Sequence, residues 1–439
     1  MKKIKESLAG DLHQIAMVLA VAAALIVFQV INDGRMITSS NLQNIISGNA
    51  YVFTISIGMV MVIILGQIDL SVGSVAGFVG MVTAITATDW GWPWWVAVLA
   101  GLACGALIGA WQGFWLAKMG IPGFISTLAG MMIFRGLVIW ISHSISKPAP
   151  RELEWFGAGS LPDWGREATG LNLPTVALGL LGAAAVVVSQ VRASARRREE
   201  NSRHVPVWPT VVRTAFVIAA IGYFTYLFAS GNPGTSFPVP GLIVVVLVIF
   251  YHVLTQHSRL GRHIYAVGGN KAAAALTGVN VDRTYFFAML NVALLAAVAG
   301  VMFIGRSTAA GPSDGTGWEL DVIAAVFIGG AAVSGGVGTV LATIVGGLFM
   351  AILNNGLQLA GISADRTQVI KGLVLLAAVA IDVMSKRQGR PSIIGRFMRG
   401  SRAAGTPEGP AVTLPVAGPE VFAEANKAAV QPARGGETA

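Results

Sequence analysis

The stretch YVFTISIGMVMVIILGQIDLSVGSVAGFVGMVTAITAT, residues 51–88, decides how this chain folds. Both flanks are apolar, and the middle, LGQIDLSVGS at 65–74, is not. An apolar run of about 20 residues is what a membrane-spanning helix needs. Irregular backbone at membrane depth survives only where protein buries it or water lines it. The stretch therefore reads as two helices joined by a break. Asp69 is placed to cap the second helix, with its negative charge against that helix's positive end. Ser71 and Ser74 can satisfy other freed backbone groups. The other reading of Asp69 is direct contact with whatever passes through the break.

The same texture runs outward in both directions. Of 439 residues, 54% are hydrophobic and 12% charged, against about 25% charged in a soluble domain. The expectation is an all-α, polytopic transmembrane bundle. Twelve apolar segments stand out, at 14–31, 45–65, 72–88, 94–117, 123–142, 172–190, 211–229, 239–256, 285–304, 320–335, 339–358 and 368–384. Those at 72–88 and 320–335 are short enough to be half-helices or re-entrant pieces, so a count of ten or eleven spans also fits. Cys104, the single cysteine, excludes an intrachain disulfide, and no metal site or cofactor is expected.

A net charge of +9 could suggest nucleic acid, but the positions of the charges exclude it. With residues 1–13 in the cytoplasm, one face receives Lys2, Lys3, Lys5, Lys118, the 191–210 cluster, Arg259, Arg262, Lys271 and Arg283, and Lys386 onward. The other face receives only Arg35, Lys147, Arg151, Arg166, Arg306 and Arg366. That bias follows the positive-inside rule and puts both termini in the cytoplasm. Trp90–Trp95 then falls in the outer aromatic belt. The basic segment 191–210 reads as a mobile cytoplasmic loop. The first apolar run is long enough to span and carries no trustworthy leader cleavage site. The transmembrane domain is 14–385, and the tail 386–439, rich in Ala, Gly, Pro and Glu, reads as disordered.

Between the eighth and ninth segments lies HSRLGRHIYAVGGNKAAAALTGVNVDRTY, 257–285, longer than a connection requires. Arg259 and Arg262 precede Tyr265, and Gly268 and Gly269 read as a turn. Asn270 can cap the helix KAAAAL, which contains Ala273, and Gly278 can end it. The product is a short helix across the cytoplasmic face. It is either a simple surface helix between two spans or a docking element for a cytoplasmic partner.

GRHIYAVGGNKAAAALTGVNV resembles the coupling loop of permease subunits of sugar-importing ABC transporters, ribose and xylose branch. GQIDLSVGS, GIPGFISTLAGMMIFRGL (120–137) and the stretch 319–362 match the same pattern in order. The resemblance covers about 45–385. It is strongest to xylose permeases, because the pair of segments at 172–190 and 211–229 is an insert that ribose-type relatives lack. The resemblance implies a permease homodimer in a bacterial inner membrane and a periplasmic sugar-binding protein that delivers substrate. It also implies a cytoplasmic ATPase with two fused nucleotide-binding domains, whose groove receives residues 259–280. The chain has no G-x-x-x-x-G-K-[ST] phosphate loop, so it is not itself the ATPase.

Neutral polar residues are the substrate candidates, because a pentose is uncharged and must be released easily. Asn354 and Gln358 share a helix face, and Asn355 and Asn291 join them. The same residues could instead serve as interhelical hydrogen bonds. Ionisable groups inside spans are functional candidates by default. Here they are Asp69, Arg135, Asp321, Lys371 and Asp382. Arg135 reads as an interhelical or snorkelling cation, Glu319 and Asp321 as a cap facing an outer vestibule, and Lys371 and Asp382 as anchors of the last span. Residues 305–319 are a candidate rim for the binding protein or an ordinary loop. The competing class is an ion-driven secondary transporter, against which no buried carboxylate cluster is legible. The six histidines lack ligand spacing, which argues against a membrane enzyme.

Overall fold

The computed structural model describes residues 2–199 and 208–387. The first half contains α1 (Lys2–Ile31), α2 (Ser39–Ile64), α3 (Val72–Thr88), α4 (Trp94–Ala117) and α5 (Gly123–Ser142). A two-residue strand β1 (Lys147–Pro148), a 3-10 turn at Arg151–Leu153 and the single-turn helices α6 (Glu154–Gly157) and α7 (Arg166–Thr169) follow. Next come α8 (Leu173–Glu199), α9 (Trp208–Ser230), α10 (Val239–His257), α11 (Arg259–Gly269) and α12 (Lys271–Leu276). The chain continues through α13 (Val281–Ser307), β2 (Ala309–Ala310), α14 (Trp318–Ile328), α15 (Val340–Leu359) and α16 (Ala364–Arg387). Residues Met1–Met384 form one compact unit and Ser385–Ala439 another, described only to Arg387.

Among the described residues, seven helices are long and apolar enough to cross a membrane: α2, α4, α5, α8, α10, α13 and α15. Shorter apolar helices occupy Met17–Ile31, Val72–Thr88 and Thr214–Ser230. Local chemistry sets the boundaries. Thr38 caps α2, Ser258 α11, Asn270 α12, Asn280 α13 and Thr339 α15, each accepting a backbone N–H in the first turn. Pro93, Pro122 and Pro238 precede α4, α5 and α10, where a missing N–H costs nothing.

The expected cytoplasmic N-terminus, residues 1–13, is helical from Lys2, and α1 continues into the apolar run. One sequence expectation is corrected. The expected loop at 191–210 begins later, because α8 extends to Glu199; residues 200–207 and the proposed disordered tail from 388 lie outside the described residues. The segment 320–335 is a half-helix, one of the forms expected of it, and its helix ends at Ile328. Beyond it the backbone takes φ of +84°, +80°, +75° and +156° at Gly330, Gly335, Gly336 and Gly338, a conformation that glycine alone adopts without penalty.

Burial ranks the helices. In the apolar windows of α2 and α13, 78% and 67% of residues are buried, against 28% for α4 and α5 and 6% for α8. The helices α2 and α13 therefore form the centre, and the α8–α9 pair lies at the periphery. Helix α13 packs most extensively on α4, with α2 and α3 on its other sides. Apolar burial does not drive helices together in lipid, so close contact must. The sequence supplies it through Gly101, Gly105 and Gly109 on one face of α4. A Cβ at Gly105 would meet the Ala297 methyl at 2.5 Å, and one at Gly109 would lie 2.8 Å from the Leu290 backbone. Gly109→Val is expected to destabilise the protein by about 1–3 kcal/mol, read as a lower thermal midpoint in detergent. Gly136→Ala, where nothing lies within 4 Å, should leave it unchanged or raise it.

Candidate functional site

The break between α2 and α3 is buried and tied to its neighbours. Asp69 and Ser71 are both fully buried. Asp69 Oδ1 accepts from the Ser71 N–H at 2.8 Å and the Ser71 hydroxyl at 2.6 Å. The Ser71 hydroxyl in turn accepts from Gln112 Nε2 at 2.6 Å. Leu70 N–H donates to Thr127, and Gly123 N–H donates to Gln67. Asp69 is thus not the helix cap itself. Ser71 holds that position, and Asp69 satisfies its amide by a local turn, as short Asp side chains do. Ser74 does not satisfy a freed group: its hydroxyl is buried without a partner.

The 257–285 loop is two helices rather than one. The expected turn at Gly268–Gly269 is the last turn of α11, and the chain bends at Asn270 instead. The reason is tertiary. Gly268 lies against the Ile64 carbonyl and the Gly336 amide, and any Cβ there would overlap them. Ile264 and Val267 are buried beneath it. Tyr265 donates its hydroxyl to the Gly338 carbonyl at 2.7 Å, and the Gly336 N–H donates to the Ile64 carbonyl at 2.8 Å. One element therefore grips both helix breaks, 65–71 and 329–339. The expected details of α12 hold. Asn270 accepts from Ala273 N–H at 3.0 Å, and Gly278 is left-handed at φ +84°. Arg259, Arg262, Gly269, Asn270 and Ala273 are exposed. Leu276, which sequence reasoning passed over, is 91% exposed. Its only sequence signal was a large apolar residue at the end of a short alanine helix.

At the opposite end, where β1 pairs with β2 and Lys147 lies 2.6 Å from Asp89, a cavity of about 890 Å³ opens. The Lys147 ammonium there holds the Asp89 carboxyl below the usual carboxylate range. The cavity is lined by α2, α14, α15 and α16, together with Arg306 of α13. Carboxamides recur along its wall: Asn41, Asn44, Asn49, Asn354, Asn355, Gln358 and Gln368. Asn41 and Asn355 exchange hydrogen bonds at 2.8 and 3.0 Å. Tyr51 and Trp318 form an aromatic pair with centroids 4.2 Å apart. Asn354 Oδ1 and Thr367 Oγ1 are buried without partners.

The expected pathway residues thus separate. Asn354, Asn355 and Gln358 meet at this cavity. Asp69, Ser71 and Ser74 do not reach it, and Asn291 instead accepts from Tyr251 at 2.5 Å between α10 and α13. Lys371 is more than an anchor, because its ammonium reaches both oxygens of Asp321 at 2.8 Å in the cavity wall. The side chain of Asp382 lies outside those described. In the candidate rim 305–319, Gly315 packs against the backbone of Gly73 while Ser313 and Thr316 are exposed. Buried carboxylates also exist that the sequence did not reveal as a group. Glu319 Oε2 lies where a Gly73 Cβ would be, 2.6 Å away, and Glu319 is within electrostatic range of Asp69 and Arg135. Helix α14 therefore presents Trp318 and Asp321 to the cavity and Glu319 to the buried break.

Removing one partner of this part-buried ion pair leaves the other charge uncompensated. Lys371→Met is expected to cost on the order of 2–4 kcal/mol, and the added Asp321→Asn should recover most of it. Thermal midpoints of the two single variants and the double variant measure the coupling.

Sequence comparison places these features in a family. Residues 41–152 and 156–379 match the model described as branched-chain amino acid transport system / permease component. The chain is 34% identical over 383 residues to the xylose transport system permease protein XylH of Haemophilus influenzae, covering 86% of this chain and 98% of that one. It is 35% identical to XylH of Escherichia coli K12 over 86% of this chain and 93% of the relative. It is 31% identical to the ribose import permease protein RbsC of Escherichia coli K12 over 79% and 86%. No solved structure matches the chain significantly. The buried helix breaks, the polar cavity and these alignments lead to one conclusion: the chain is a membrane permease and belongs to the branched-chain amino acid transport system / permease component family.

Proposed function

We propose that the chain is the membrane-spanning permease subunit of an ABC importer for a monosaccharide, D-xylose or a related pentose. Carboxamides and hydroxyls line the cavity, and such groups exchange hydrogen bonds with a neutral polyol without trapping it. The xylose and ribose permeases above support the substrate class. In this reading the subunit works as a dimer of about twelve spans per copy in a bacterial inner membrane. Both termini and α11–α12 are cytoplasmic, and the cavity faces the periplasm. A binding protein delivers sugar there.

The observation that carries this reading is the grip of α11 on both helix breaks, with α12 left exposed beside it. A partner that moves α11–α12 moves Ile64 through Gly268 and the 329–339 loop through Tyr265. That loop continues from α14, whose first turn walls the cavity. Arg259, Arg262, Gly269, Asn270, Ala273 and Leu276 form the contact surface for an ATPase with two fused nucleotide-binding domains. Gly278 ends the docking helix, and Tyr265 and Gly268 transmit its motion. The buried Asp69, Glu319 and Asp321 favour one second reading, an ion-driven secondary transporter.

Reconstituted vesicles separate the two. Sugar uptake should require ATP, the ATPase and the binding protein; uptake by the chain alone that collapses with the ion gradient would establish the second reading. Leu276→Asp should abolish ATPase association and leave the thermal midpoint unchanged, because the side chain touches no core. Retained association would move the docking surface elsewhere.

A further inference from the structure

Taking the sugar-permease reading as its basis, we infer that the permease itself holds a sugar site at the Tyr51–Trp318 pair, with Asn354, Thr367 and Gln358 as hydrogen-bonding partners. The pair is the aromatic part of the cavity wall. Phe303 packs behind both rings at 5.3 and 4.5 Å, which fixes the platform. An aromatic face covers the C–H face of a pyranose ring, leaving the hydroxyls free to bond at its edge. The wall supplies that edge. Asn354 Oδ1 and Thr367 Oγ1 are buried with no protein partner, and a buried acceptor or hydroxyl left unsatisfied is destabilising. Each is a candidate partner for a ligand hydroxyl. Gln358 is exposed to the same space.

The ion pair in the wall does not demand a charged ligand. Lys371 and Asp321 neutralise each other in the wall. The Arg306 guanidinium lies beside Gly48, 3.3 Å from where a Cβ would be, and within electrostatic range of Tyr51. It can donate to a ring or hydroxyl oxygen without demanding an anion. The cavity, at about 890 Å³, is much larger than a monosaccharide, so the sugar sits on the platform still partly hydrated. Affinity is therefore weak, as a conduit requires.

The test uses the full-length permease in detergent, with saturation-transfer NMR on D-xylose and, in parallel, L-leucine. Wild type should transfer saturation to xylose, most strongly to its ring C–H protons, and not to leucine. Tyr51→Leu should weaken xylose binding roughly three- to tenfold, the loss of one aromatic contact, whereas Tyr51→Phe should retain it. Gln358→Ala, at an exposed position that does not threaten folding, should weaken it without altering the thermal midpoint. In reconstituted vesicles, Tyr51→Leu should lower maximal uptake while ATPase association persists. If wild type imports sugar with ATP but gives no xylose signal, or if Tyr51→Leu binds xylose as wild type does, the site is overturned and the permease reading stands. A leucine signal without a xylose signal overturns both.

Discussion

Backbone amides and carbonyls inside a membrane have no water to turn to, and this structure is organised around that constraint. Two chain breaks, 65–71 and 329–339, interrupt apolar segments where a continuous helix would satisfy every group. Each break is paid for by the other and by α11. The carbonyl that α2 leaves free at Ile64 accepts from Gly336 of the second break, and Gly268 of α11 lies against the same carbonyl. The Gly338 carbonyl takes the Tyr265 hydroxyl. Within the first break Asp69 accepts from the Ser71 N–H, and Thr127 of α5 accepts from the Leu70 N–H; Gln67 of the break accepts from the Gly123 N–H at the start of α5. Glycine is required at Gly268 and at the positive-φ positions 335 and 336 because backbone must meet backbone there.

That arrangement connects the two ends of the bundle. Helix α14 begins at the cavity, where Trp318 stacks on Tyr51, and ends at the break held by α11. Because it is short, it can move as a unit without bending a full span. Its two faces carry opposite tasks: Asp321 is neutralised by Lys371 in the cavity wall, and Glu319 is buried against α3. In the proposed importer, closure of the ATPase on α12 reaches the sugar cavity through this single half-helix.

Periodicity and composition carry information about each segment by itself. The apolar segments, the break around Asp69, the shortness of the 320–335 segment, the Asn270 cap and the Gly278 stop were legible because each depends on residues within one or two turns of itself. The face shared by Asn354 and Gln358 was legible for the same reason, since helix geometry fixes it. What failed depended on distance in the chain. Gly268–Gly269 read as a turn because nothing local reveals the Ile64 carbonyl that holds Gly268 inside a helix. Lys371 read as an anchor because its partner, Asp321, lies on another helix. Asn291 stayed open between a pathway role and an interhelical hydrogen bond because Tyr251 is forty positions away.

The sequence alone therefore determined that this chain is a predominantly helical membrane protein, that its apolar run breaks around Asp69, and that a capped alanine helix stands between two of its spans. Those properties follow from solvation of the backbone and from short-range capping. Only the tertiary structure decided which polar residues line a cavity and which merely pack. It separated Asp69, Ser71 and Asn291 from Asn354, Asn355 and Gln358, and added Tyr51, Trp318 and Arg306 to the latter. A side chain's role in lipid depends on whether a neighbouring helix satisfies it, and that is settled only when the helices meet.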